Sequence, residues 1–133
     1  MNTRFLMISS AIYLGAIGIG LIFLPDEIVS TLGIVSNPTT TIVFQLLGAL
    51  YFGFAMINWM SKGNMIGGIY NKPIAVGNFT HFAVGAFALV KAAIKFQDGV
   101  ALFLITGIYL LFAIIFAYVS RNNPRSLDKK NDT

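Results

Sequence analysis

Four apolar stretches dominate this sequence, each long enough to cross a bilayer as a helix: about 5–24, 39–60, 73–94 and 100–119. A hydrocarbon core ~30 Å thick takes about 20 helical residues. Inside it no water is present to satisfy backbone N–H and C=O groups, and a helix bonds them all within one segment. The expected fold class is therefore all-α: an integral membrane four-helix bundle over residues 1–120, followed by a polar tail over 121–133. Composition agrees. Only 11% of residues are charged against 56% hydrophobic, whereas a soluble domain carries about one quarter charged, so this chain cannot clothe its apolar residues in a polar skin.

The span boundaries carry their own signals. Arg4 precedes the first stretch as in a signal peptide, but the run is longer than a signal core. It is followed by Leu24-Pro25-Asp26-Glu27 in place of a small-residue cleavage site, so a retained first span is expected. Asn37-Pro38 opens the second span as an N-cap with proline at the first helical position, and Pro73 marks the start of the third. The fourth stops before Ser120-Arg121-Asn122-Asn123-Pro124, and the polar tail beyond it is expected to be disordered. Between spans one and two, Asp26 and Glu27 suit a first helical turn. Ile28, Val29 and Leu32 share one face and Gly33 suits a C′ stop, so Pro25 to Leu32 reads as a short interfacial helix. The loop from Lys62 to Lys72 contains Gly63, Gly67 and Gly68, and Phe96 to Gly99 is a tight turn joining spans three and four.

Lys and Arg near span ends set orientation. With both termini cytoplasmic, the inner side holds Arg4, Lys62, Lys72, Arg121, Arg125, Lys129 and Lys130, and the outer side only Lys91 and Lys95. The expected location is a bacterial inner membrane with both termini in the cytoplasm. These basic residues flank apolar segments and form no separate patch, which argues against nucleic acid as a partner.

In lipid, small residues mark where helix backbones approach each other. Ala11, Gly15 and Gly18 line span one. Gly48, Tyr51, Ala55 and Asn58 line span two, with Ala49 and Gly53 beside them. Gly77, His81, Gly85 and Ala88 line span three, and Thr106, Ala113 and Ala117 line span four, next to Gly107. The twelve phenylalanines are expected to face lipid or fill gaps.

Polar side chains inside spans are where chemistry is sought first. No Asp, Glu or Arg lies within the middle of any span. This argues against an antiporter built on a buried carboxylate, an acid–base isomerase and a carboxylate metal site. With no cysteine, disulfides, thiolate metal sites and cysteine nucleophiles are excluded. Asn78-Phe79-Thr80 spells a glycosylation acceptor but falls inside a span. What remains as a candidate ligand-binding set is His81, Asn78, Asn58, Gln45 and Tyr51. Asn78 and His81 are three apart and share a helical face, and Asn58 is set to face Asn78 if spans two and three are neighbours. His81 admits three readings: an interhelical hydrogen bond that glues the bundle, contact with an apolar or quinone-like guest, or haem ligation, which takes a second His or a Met and in its bis-histidine form would need a second copy of the chain.

The stretch Leu14-Gly15-Ala16-Ile17-Gly18, then Leu24-Pro25-Asp26-Glu27 and Leu32-Gly33, followed by Gln45-Leu46-Leu47-Gly48-Ala49-Leu50-Tyr51-Phe52-Gly53-Phe54, resembles small four-span bacterial membrane families, the DoxX-like proteins and their uncharacterised relatives. The resemblance implies the four-span fold. Such families often carry an acidic or arginine residue at the start of span two, where this chain has Gln45.

The leading expectation is a non-catalytic membrane protein with no bound cofactor, either an accessory subunit or a binder of an apolar ligand. Its glycine-rich helix faces would meet the lipid bilayer, a protein partner or a second copy. Two other classes stay open: a homo-oligomeric transporter or permeability protein, and a membrane enzyme or redox protein using His81 with haem or quinone.

Overall fold

A computed structural model describes residues 3–64, 66, 71–96 and 100–121. Among them there are five helices and no strand: α1 (Thr3–Phe23), α2 (Pro25–Thr31), α3 (Pro38–Ser61), α4 (Lys72–Phe96) and α5 (Val100–Arg121). Four of these, α1, α3, α4 and α5, are long and apolar enough to cross a membrane. The chain is an all-α integral membrane protein, as its hydropathy pattern requires. The tail beyond Arg121, the turn at 97–99 and loop residues Gly67, Gly68 and Tyr70 lie outside the described residues.

The chain divides into two compact units, Met1–Gly63 and Asn64–Thr133. In the first, α1 and α3 pack against each other and α2 rests on both. In the second, α4 packs on α5.

Helix ends in unit 1 follow from named side chains. Asn37 Oδ1 accepts from the backbone N–H of Thr39 and of Thr40, both at 3.0 Å. Thr40 Oγ1 in turn accepts from Asn37 N–H at 2.9 Å. This reciprocal capping box, with Pro38 just inside it, satisfies donors that the start of α3 would otherwise leave open. At the end of α2, Gly33 adopts φ +70°. There Ile34 N–H reaches Val29 O and Gly33 N–H reaches Ser30 O, both at 3.0 Å, which is the Schellman arrangement. Val29 is fully buried. Leu32, expected on the same face, is exposed, because it sits at the C-cap where the chain leaves the helix.

α2 is also tied to the start of α3 by a carboxylate. Asp26 Oδ1 accepts from Ser36 Oγ and from Thr41 Oγ1, each at 2.7 Å. These two bonds, Ser36 first, hold the Asp26 carboxyl below its ordinary pKa, since hydrogen bonding to the charged form favours it.

The α1–α3 contact is a backbone-to-backbone approach. A Cβ added at Gly18 would lie 2.8 Å from Phe52 N and 2.9 Å from Gly48 O, and one at Gly48 would lie 2.8 Å from Gly18 O. Only glycine fits both positions. Further along the same seam, a Cβ at Gly15 would make ordinary contact with Ala55 at 3.6 Å. These contacts, with Ser10 against Asn58, run in opposite residue order on the two helices and make them antiparallel.

Candidate functional site

The polar residues inside the spans fall into one group in each unit. In unit 1, Asn58 of α3 is fully buried and its Nδ2 donates to Ser10 Oγ of α1 at 3.0 Å. Ser10, equally buried, donates its own proton to Met7 O at 3.1 Å. The hydroxyl therefore accepts from the amide with one lone pair while its single proton goes to the helix backbone, a consistent use of its bonding capacity. Such a bond between helices in an apolar medium is worth about 0.6–2 kcal/mol. It also selects one rotation of α3 against α1.

Gln45 and Tyr51 occupy different environments on the same helix. Gln45 is exposed, and its Nε2 lies 3.4 Å from Ile22 O. That carbonyl belongs to the last turn of α1, where no intrahelical donor remains, so Gln45 serves the end of the neighbouring helix. Tyr51 is half-buried, between the buried positions Gly48 and Ala55 along α3.

In unit 2, Asn78 of α4 is buried and its Nδ2 donates to Ile74 O, one turn back, at 3.0 Å. His81, one turn further along α4, is half-buried at the edge of an aromatic cluster. Its ring centroid lies 5.8 Å from that of Tyr109 on α5 and 5.1 Å from that of Phe82. Phe82 is the hub. Fully buried, it stacks on Phe112 at 4.7 Å and on Phe116 at 5.8 Å, and meets Tyr109 edge-on at 5.3 Å. Each such pair adds about 0.5–1.5 kcal/mol beyond its buried area. The Tyr109 ring lies directly over Gly85, where an added Cβ would come within 2.5 Å of Cε1. Gly85 thus makes room for a ring, whereas Gly18 and Gly48 make room for a backbone. On α5, Thr106 Oγ1 donates to Leu102 O at 2.7 Å and is absorbed by its own helix.

Of the candidate set, Asn58, Gln45 and Tyr51 belong to unit 1, and Asn78 and His81 to unit 2. Ser10 and the rings of α5 were not singled out from the sequence. Ser10 lies on the stripe Met7, Ser10, Ala11, Leu14, Gly18 that α1 buries, so helical periodicity marks it once that face is known. Tyr109, Phe112 and Phe116 are spaced i, i+3 and i+7, which places three rings on one face of α5. The phenylalanines divide as their composition allows: Phe82 and Phe116 are fully buried, while Phe5, Phe23, Phe87 and Phe103 are exposed.

The chemistry available is that of neutral amides, hydroxyls and one imidazole set against aromatic rings: hydrogen bonding and stacking. Comparison with protein-family models, with curated proteins and with solved structures gave no match.

Proposed function

We propose that this chain is a non-catalytic accessory subunit of a bacterial inner-membrane assembly, with both termini cytoplasmic, and that it works by packing its lipid-facing helix surfaces against a membrane partner. The observation that carries this reading is on α3. Gly48 faces α1, but its neighbours Ala49 and Gly53 are exposed, among large exposed residues such as Leu46, Leu50 and Ile57. On α5, Gly107 is likewise exposed beside buried Thr106. Small residues four apart on an outward face leave a notch that lipid chains fill poorly and another helix fills well. The excess of Lys and Arg at one set of span ends supports the orientation.

Extraction of the protein from its native membrane in polymer-bounded lipid particles, followed by mass spectrometry, tests this. A stoichiometric membrane partner, or a second copy, is expected, and Gly53→Ile should release it while leaving the helix content unchanged. A monomer with no stoichiometric companion would sink the proposal.

A second reading is favoured by the half-buried edge position of His81 on the aromatic cluster: an apolar guest with a quinone-like headgroup that hydrogen-bonds to the imidazole. Organic extraction of the purified protein would then yield one such compound in stoichiometric amount, and His81→Phe would lose it.

A further inference from the structure

We infer that the linker between α2 and α3 is a membrane-inserted loop, whose Leu32, Ile34 and Val35 side chains enter the acyl chains at the edge of the hydrocarbon. The inference does not depend on the accessory-subunit reading.

The direction of the loop follows from the faces of α2. Its apolar face lies on the α1–α3 pair: Pro25 and Val29 are buried, and Ile28 Cδ1 stands 3.8 Å from the place a Cβ on Gly20 of α1 would take. Asp26, Glu27, Ser30 and Thr31 are exposed and fall on the opposite face at helical spacing. Leu32 follows Ile28 by one helical turn, so it belongs to the apolar side. It is nevertheless 61% exposed, and therefore overhangs the surface that Ile28 and Val29 cover. Ile34 and Val35 beyond it are 42% and 80% exposed. A linker standing away from the bilayer would leave all these apolar side chains in water, at a cost proportional to their area.

The adjoining surface says what covers them. The linker joins the ends of two helices long and apolar enough to cross a membrane, and both ends present apolar side chains outward. Phe23, the last residue of α1, is exposed, and so are Ile42 and Val43 near the start of α3. An amphipathic segment at that level turns its apolar side to acyl chains and its polar side to water. Lipid is thus the occupant that continues the surface on either side of the loop.

The backbone suits that depth. Non-helical backbone at the edge of hydrocarbon is costly unless its polar groups are satisfied within the protein. Leu32 N–H donates to Ile28 O, Gly33 N–H to Ser30 O and Ile34 N–H to Val29 O, each at 3.0 Å. At the far end Ser36 Oγ donates to Asp26 Oδ1, which Thr41 Oγ1 also reaches. These bonds fold the polar groups of the linker back onto α2 and the start of α3. The side chains of Leu32, Ile34 and Val35 are left as its outer surface.

With no cysteine in the chain, single spin labels at Leu32→Cys and Val35→Cys report on the linker. Phe23→Cys serves as the lipid-facing reference and Thr31→Cys as the water-facing one. The full-length protein is reconstituted in phosphatidylcholine vesicles. Collision of each label is then measured with molecular oxygen, which concentrates in hydrocarbon, and with a water-soluble nickel chelate. The oxygen-to-nickel ratio at positions 32 and 35 is expected to be severalfold above that at 31 and to approach that at 23. Circular dichroism confirms helix content in each variant, and Val35, the more exposed of the two linker sites, carries the result if the label at Leu32 disturbs the fold. Ratios at both positions equal to that at 31 would place the linker in water and overturn the inference. Weak collision with both reagents would show protein covering the loop, and would overturn it equally.

Discussion

The two units solve one problem in different ways. In lipid the hydrophobic effect does not drive helices together, so van der Waals fit and hydrogen bonds must hold them. Unit 1 brings two backbones into contact at Gly18 and Gly48 and adds the buried hydrogen bond from Asn58 to Ser10. Unit 2 keeps its helices apart by rings and fills the space with Phe82, Tyr109, Phe112 and Phe116. The difference teaches how a fit fails. A backbone contact has no side chain to move aside, so any added atom separates the helices. A ring cluster can adjust, but a deleted ring leaves a void.

The largest effect should therefore come from enlarging a contact glycine. Gly48→Leu places a Cβ against Gly18 O and Leu21 Cβ, each at 2.8 Å. The expected destabilisation is about 3 kcal/mol, the upper part of the range for overpacking. It should be read as faster backbone hydrogen exchange along α1 and α3. Unchanged exchange there would mean that the close approach contributes little.

Next in size is the converse change in unit 2. Phe82→Ala removes the hub of the stack. The transfer component of the usual core deletion cost vanishes in lipid, leaving the cavity component of about 2–3 kcal/mol. The loss should appear as faster exchange in α4 and α5 and be partly recovered by Phe82→Leu. A cost below that of Phe82→Leu would contradict the role of the rings.

The smallest effect concerns the loop of unit 1. Asp26 has a lowered pKa because Ser36 and Thr41 donate to its charged form. Its contribution is present above the ordinary carboxylate pKa and is lost as pH falls through the lowered folded value. With no cysteine in the chain, a spin label at Val35→Cys reports on this segment uniquely. Label mobility should rise on acidification through the carboxylate range. In Asp26→Ala it should be high throughout and independent of pH.

Much of this was legible in residue order. The spans expected at about 5–24, 39–60, 73–94 and 100–119 became helices Thr3–Phe23, Pro38–Ser61, Lys72–Phe96 and Val100–Arg121, because length and apolarity are local properties that lipid enforces. Asn37-Pro38 and Gly33 marked a helix start and a helix stop because capping is chemistry within a few residues. The candidate polar residues were legible as residues but not as contacts. The structure joins Asn58 to Ser10, 48 positions earlier in the chain. Gln45 turned toward the end of α1, which no pattern within α3 announces.

The amino-acid sequence by itself thus determined that the chain is all-helical, that four of its helices are long and apolar enough to cross a membrane, and where those helices begin and end. Tertiary structure alone decided which glycines touch backbone, which meets a ring, and which, like Gly53 and Gly107, stay exposed. The physical reason lies in range. Helix formation is settled within a turn, but a small residue becomes a contact, a cradle or an open notch only according to what another helix places opposite it.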